Sequence, residues 1–157
     1  MTATHDAQLI PALAGIWLPE SVFIRAWCEE DFADVQKLSA QAGWITPIER
    51  PKESFAGWCN AWPALVAVRG LGSAALGGDE MIGFARAITD GSISTYICEL
   101  LVDMHWRRFG IGEALLAACH NLYPTTRIDL LAGEDSRSYY EHLGCHPSYG
   151  FRKSRLI

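Results

Sequence analysis

Residues Glu99–Leu116 read ELLVDMHWRRFGIGEALL, and how this stretch is read decides the fold. It is an apolar strand, a short polar turn, a glycine-spaced loop and the start of an amphipathic helix. Arg107, Gly110 and Gly112 stand in an R-x-x-G-x-G spacing. Neither glycine carries a Cβ, so a ligand can approach the backbone closely and unusual φ values cost little. The amides lie where a helix begins, and there unpaired N–H groups and the helix dipole favour a phosphate. Arg107 and Arg108 add positive charge beside them. The segment Arg107, Arg108, Phe109, Gly110, Ile111 and Gly112 therefore reads as a pyrophosphate cradle.

Two other phosphate loops do not fit. The dinucleotide fingerprint G-x-G-x-x-G needs a third glycine that is missing here. The triphosphate loop needs Lys-Ser or Lys-Thr after its last glycine, and neither follows Gly112. The spacing that remains resembles the acetyl-CoA-binding motif of the GNAT acetyltransferase superfamily, Gln or Arg followed by x-x-G-x-G or x-x-G-x-A. That motif stands between the fourth strand and the third helix of the family. RRFGIG matches it at every defined position, after ICELLV and before EALLAACHNL.

A chain of 157 residues suits one domain with a real core. Half its residues are hydrophobic and a fifth charged, an ordinary globular balance. A net charge of -5 argues against a broad nucleic-acid surface, which asks for clustered Lys and Arg. The five cysteines, Cys28, Cys59, Cys98, Cys119 and Cys145, are odd in number and show no C-x-x-C spacing. That is no disulfide framework and points to a reducing cytoplasm. The N-terminus MTATHDAQLI has no basic n-region, and Pro11 and Pro19 break the apolar piece that follows. It reads neither as a signal peptide nor as a membrane span.

Residues 1–20 read as an N-terminal extension packing on the domain or on a partner subunit; residues 21–157 form a single domain. SVFIRAW from Ser21 is a strand. Asp31 opens a helix, FADVQKLSAQAG, with Phe32, Val35, Leu38 and Ala42 on one face. A second helix is expected at about Glu53 to Trp62. Ala64 to Arg69 and Glu80 to Thr89 are strands, with a glycine-rich hairpin loop from Gly70 to Asp79 between them. Asp90-Gly91 reads as a two-residue type I′ turn into a strand ending at Val102. A helix from about Gly110 to Leu122 is followed by a strand at Arg127 to Leu131 and a helix at Glu134 to Leu143. A final strand is expected from Cys145 to Arg152. This order is similar to that of the GNAT fold. The resemblance implies an α/β (α+β) domain with a mixed, mostly antiparallel sheet of about six to seven strands and helices on both faces. It extends to SYYEHLGC, which is similar to the family's F-Y-x-x-L-G-F pattern, with Tyr139 at the phenylalanine position, expected in the core, Tyr140 at the tyrosine and Cys145 at the last phenylalanine.

Acetyl transfer from a thioester to an amine needs an uncharged amine, donors for the oxyanion and a proton for the thiolate. An alkylamine of pKa near 10.4 is neutral about one part in a thousand at pH 7, a factor within reach of general base catalysis. Glu99, a carboxylate inside an apolar strand, is the base candidate. Its alternatives are exposure to solvent or pairing with Arg86 across the hairpin. By resemblance, Tyr140 is the acid, and backbone amides of Leu101, Val102 and Asp103 on a bulged, splayed fourth strand hold the acetyl carbonyl and pantetheine. An asparagine common in the family seven residues before the tyrosine is replaced by Gly133, with Asp135 or Ser136 as stand-ins; Ser136 joins the cofactor-binding set. Trp44, Trp58 and Trp62 are candidate walls of an acceptor pocket, or else fill the core. His142-x-x-Cys145-His146 offers two or three ligands where a structural metal site wants four, so no metal is expected.

The resemblance thus implies an acetyl-CoA-dependent N-acetyltransferase acting directly on a primary amine of a small molecule in a ternary complex. Acetyl-CoA is the cosubstrate, without metal, nucleic acid or membrane. The alternatives are a catalytically weak CoA-binding regulatory or interaction module and an acetyltransferase for protein or peptide amines. Dimerisation is common in the family, and a homodimer using the N-terminal segment is compatible with the sequence. Fold does not fix the acceptor.

Overall fold

A computed structural model describes residues 2–70 and 78–155. The elements are α1 (Thr2–Ala12), β1 (Val22–Ala26), α2 (Phe32–Gln41), α3 (Thr46–Glu49), α4 (Pro51–Cys59), β2 (Ala64–Arg69), β3 (Glu80–Thr89), β4 (Ser94–Val102), α5 (Ile111–Leu122), β5 (Arg127–Leu130) and α6 (Arg137–His142). Most of the expected glycine-rich loop, residues 71–77, lies outside the described residues.

The strands form one sheet in the order β1-β2-β3-β4-β5. The first three pairings are antiparallel and β4–β5 is parallel, so the sheet is mixed and mostly antiparallel. It has five strands among the described residues, fewer than the six or seven the resemblance implied. The segment Cys145–Arg152 forms no strand. Pro147 has no N–H for a ladder, and Tyr149 and Phe151 are fully in solvent, so no buried face pins a register there.

Helices cover both faces. On one, Leu9 of α1 and Ile111, Leu115, Ala118 and Cys119 of α5 pack with Leu65, Ala67 and Ile97. On the other, Val35 and Leu38 of α2 and Trp58 of α4 pack with Val66, Val68, Phe84 and Leu101. Successive residues of β2 feed opposite cores, which is the period of a strand, and burial on both faces is why ALVAV is uninterruptedly apolar.

α1 runs through to Ala12 with Pro11 in its last turn, so the proline gives up one N–H bond close to the end of the helix. Leu9 and Ala12 are buried, and Asn121 Nδ2 of α5 donates to Ala12 O at 2.9 Å. The second expected helix is displaced toward the N-terminus and starts at Pro51, a favoured first helical residue. The β3–β4 connection spans Asp90–Ile93 rather than two residues, because the Asp90 carboxylate accepts N–H bonds from Ser92, Ile93 and Ser94 at 2.9, 2.7 and 3.0 Å. None of the described helices is long and apolar enough to cross a membrane.

Candidate active site

β4 pairs with β3 along its length but with β5 only from Ser94 to Ile97. Beyond Ile97 its β5-facing edge has no strand partner among the described residues. In the β3 ladder Arg86 pairs with Glu99 and Ala87 with Ile97, so Cys98 is an extra residue, a β-bulge. One inserted residue exchanges the two faces of everything after it. Ile97 lies in the core under α5, and past the bulge it is Leu100 and Val102 that pack there. Leu101 joins the core under α2 and α4, and Glu99 shares its face by alternation.

Glu99 is therefore on the α2/α4 side, where Arg86 Nε donates to its Oε2 at 2.7 Å. The pair is largely shielded, with side chains 21% and 18% exposed, and the Arg86 guanidinium lies 3.5 Å from where a Cβ on Gly57 of α4 would stand. Of the alternatives for Glu99, the cross-hairpin pair is present. Beside this face a cavity of about 30 Å³ is lined by Leu38 and Gln41 of α2, by Ala42, by 101–104 and by Arg107, room for about one water.

The three candidate amides differ. Asp103 N–H is committed to Ile82 O at 2.8 Å. Antiparallel alternation then turns Leu101 toward β3 and leaves the Val102 N–H on the open edge. The Asp103 carboxylate accepts from His105 N at 2.8 Å. Arg107 Nε approaches Val102 O at 3.4 Å. Arg108 has φ +69° and Gly110 φ +78°. A left-handed arginine costs roughly 1–2 kcal/mol, and such strain clusters at functional turns. No side chain caps the start of α5 at Gly110, so its first N–H groups are open to an anion.

Gly112 lets Tyr139 of α6 approach the start of α5 closely. A Cβ there would stand 2.7 Å from Tyr139 Oη and 3.5 Å from Val102 Cγ2. Tyr139 is thus not the core residue its position implied: it is 39% exposed with its hydroxyl over the cradle. Burial of the phenol, with Tyr140 and Glu113 nearby, pushes its pKa up to about 12, so it remains a donor at neutral pH. Tyr140 packs edge-on against it with centroids 5.1 Å apart, and burial raises its pKa as well.

The three tryptophans do not share one pocket: Trp44 and Trp58 both stand edge-on to Phe84, and Trp62 lies on the other side of the sheet. Trp58 is 1% exposed in the α2/α4 core, Trp44 stands edge-on to Phe84 at 6.5 Å, and Trp62 stacks on His5 of α1 at 3.8 Å, against the opposite core. Ser136 Oγ donates to Gly133 O at 3.1 Å, a local turn. Among the described residues no cluster of three or more His, Cys, Asp or Glu side chains could hold a metal.

The acetyltransferase (GNAT) domain model matches residues 71–154, more than half of the chain and all of the β4–cradle–α5 unit. The chain belongs to the GNAT acetyltransferase family. GNAT-type solved structures share the fold at low identity. A candidate acetyltransferase of Deinococcus radiodurans R1 is 23% identical over 87% of this chain and 90% of its own, with a TM-score of 0.66. A GNAT family acetyltransferase of Streptococcus pneumoniae TIGR4 is 17% identical over 85% and 98%, at 0.60. A Trypanosoma brucei acetyltransferase is 19% identical over 87% and 99%, at 0.57. No curated protein matches in sequence. GNAT folds imply acetyl-CoA, and the residues here fit it: an uncapped helix start, glycines where a Cβ would intrude or φ is positive, two arginines and an open strand edge.

Proposed function

We propose that this GNAT domain moves the acetyl group of acetyl-CoA to a primary amine of a small molecule, with both substrates bound together. The observation that supports this most is the open edge of β4 leading within one short turn into the uncapped, arginine-flanked start of α5. Bound acetyl-CoA supplies an activated acyl thioester. The amides at Ile111 and Gly112, with Arg107 and Arg108, hold its pyrophosphate. The Val102 N–H offers a donor to a carbonyl. Tyr140, kept protonated by burial, gives the thiolate its proton. Glu99 takes the amine's proton, directly or through a water, while Arg86 fixes its orientation. The five thiols, all free, suit a reducing compartment.

The test is a thiol-release assay across a library of primary amines. Wild type turns over at least one of them, and Tyr140→Phe and Glu99→Gln each lose about 10²-fold or more. A protein that binds acetyl-CoA yet releases no thiol with any amine overturns the proposal in favour of a binding module.

A further inference from the structure

The connection between α1 and β1 sends Leu13, Ile16 and Leu18 into the core under α5, yet Trp17 among them is 71% exposed. Its Cζ3 lies 4.0 Å from where a Cβ on Gly110 would stand, which puts the indole beside the cradle. Phe109, the residue before Gly110, is 51% exposed and rests on Trp106 with centroids 5.6 Å apart. Arg69 lies over the Trp106 ring at 5.5 Å. Single exposed apolar residues are ordinary. Two large aromatics at one phosphate-binding turn are a surface with a chemistry of its own, because a flat base stacks on an aromatic face.

We infer that Trp17, with Phe109, is a stacking platform for the nucleobase of the nucleotide cosubstrate, so that the segment preceding β1 completes the site. This rests on the reading of Arg107–Gly112 as a pyrophosphate cradle. A base joined to a pyrophosphate held there is the aromatic group that the cradle itself brings within reach of the indole. The family match begins at residue 71, so Trp17 is a contribution of this chain outside the matched region. Leu13, Ile16 and Leu18 anchor the backbone around Trp17, which pre-organises the ring and reduces the ordering cost of binding.

Calorimetry with CoA and with 4′-phosphopantetheine, which keeps one phosphate but lacks the nucleoside, separates the contributions. Trp17→Ala weakens CoA about tenfold and leaves 4′-phosphopantetheine unchanged, and Trp17→Phe restores most of the CoA affinity. The exposed position lets the alanine variant fold, which its melting temperature verifies. Trp17→Ala binding CoA as wild type does, or losing both ligands equally, overturns the inference while the cradle stands. So does a change from dimer to monomer in sedimentation with CoA affinity kept, which makes the face a subunit contact. Wild type binding neither ligand overturns cradle and platform together.

Discussion

Arg86 Nε and Glu99 Oε2 meet at 2.7 Å on the face that the Cys98 bulge turns toward α2 and α4. Without the extra residue, Glu99 would follow Ile97 to the α5 side and lie across the sheet from the cavity at α2. The bulge thus decides which side of β4 carries the carboxylate. Glu99→Gln keeps the shape and a hydrogen bond, so it lowers kcat by about 10²-fold and leaves the melting temperature close to wild type. Arg86→Met leaves a shielded carboxylate unpaired and lowers stability by about 1–3 kcal/mol, read by urea unfolding. Wild-type kcat in Glu99→Gln would make the pair purely structural.

Two glycines beside Val102 respond differently to the same added methyl. A Cβ on Gly83 would stand 2.9 Å from Leu101 O, a backbone atom that moves only with β4. Gly83→Ala therefore costs about 1–3 kcal/mol in urea unfolding. A Cβ on Gly112 meets the mobile end of Tyr139. Tyr139→Phe removes the clashing oxygen, so the stability loss from Gly112→Ala is smaller in the Tyr139→Phe background. Additive losses would show that Tyr139 does not stand over Gly112 in solution.

Asp90 gives a pH signature. The N–H groups of Ile93, Ser92 and Ser94 pull its pKa from 3.8 down to about 2. A carboxylate whose folded pKa is depressed stabilises the fold above its unfolded value. That stability is lost as pH falls from about 4 through 2. Asp90→Asn lowers the melting temperature at pH 7 and narrows the gap to wild type at pH 2. An equal gap at both values would contradict the turn's geometry.

Trp58 and Trp44 separate core from surface. Trp58→Ala empties a fully buried site beside Phe84 and costs about 3–5 kcal/mol. Trp44, 37% exposed, costs under about 1.5 kcal/mol when truncated. Equal losses by denaturant titration would contradict the burial difference.

Much of the fold was readable because its signals are local. The bounds of β2 and β3 follow from apolar runs ended by Gly70 and Asp90, and α5 from Gly110 and its 3.6-residue stripe. What escaped depends on distant partners or on counting. A bulge in the fourth strand is implied by resemblance, but its place at Cys98 leaves no mark in ICELLV, and that place sets the side of Glu99. The three tryptophans look alike in sequence and end up on opposite faces of the sheet. Tyr139 was assigned to the core by position in a motif, whereas its hydroxyl is placed by Gly112, a contact no local pattern encodes. Pro147 did carry the information that Cys145–Arg152 lacks a ladder donor.

Binding of the acetyl-CoA pyrophosphate by Arg107–Gly112 is the proposal on which the others rest. Calorimetry with acetyl-CoA at moderate salt, on wild type and Gly110→Trp, tests it most directly, with Gly110→Asn as the control that tolerates the left-handed φ. Wild type is expected to bind at micromolar level, the asparagine variant to give a weaker but measurable heat, and the tryptophan variant none. Absence of binding in folded wild type, or equal binding by Gly110→Trp, would reduce the turn to a helix start and contradict the account.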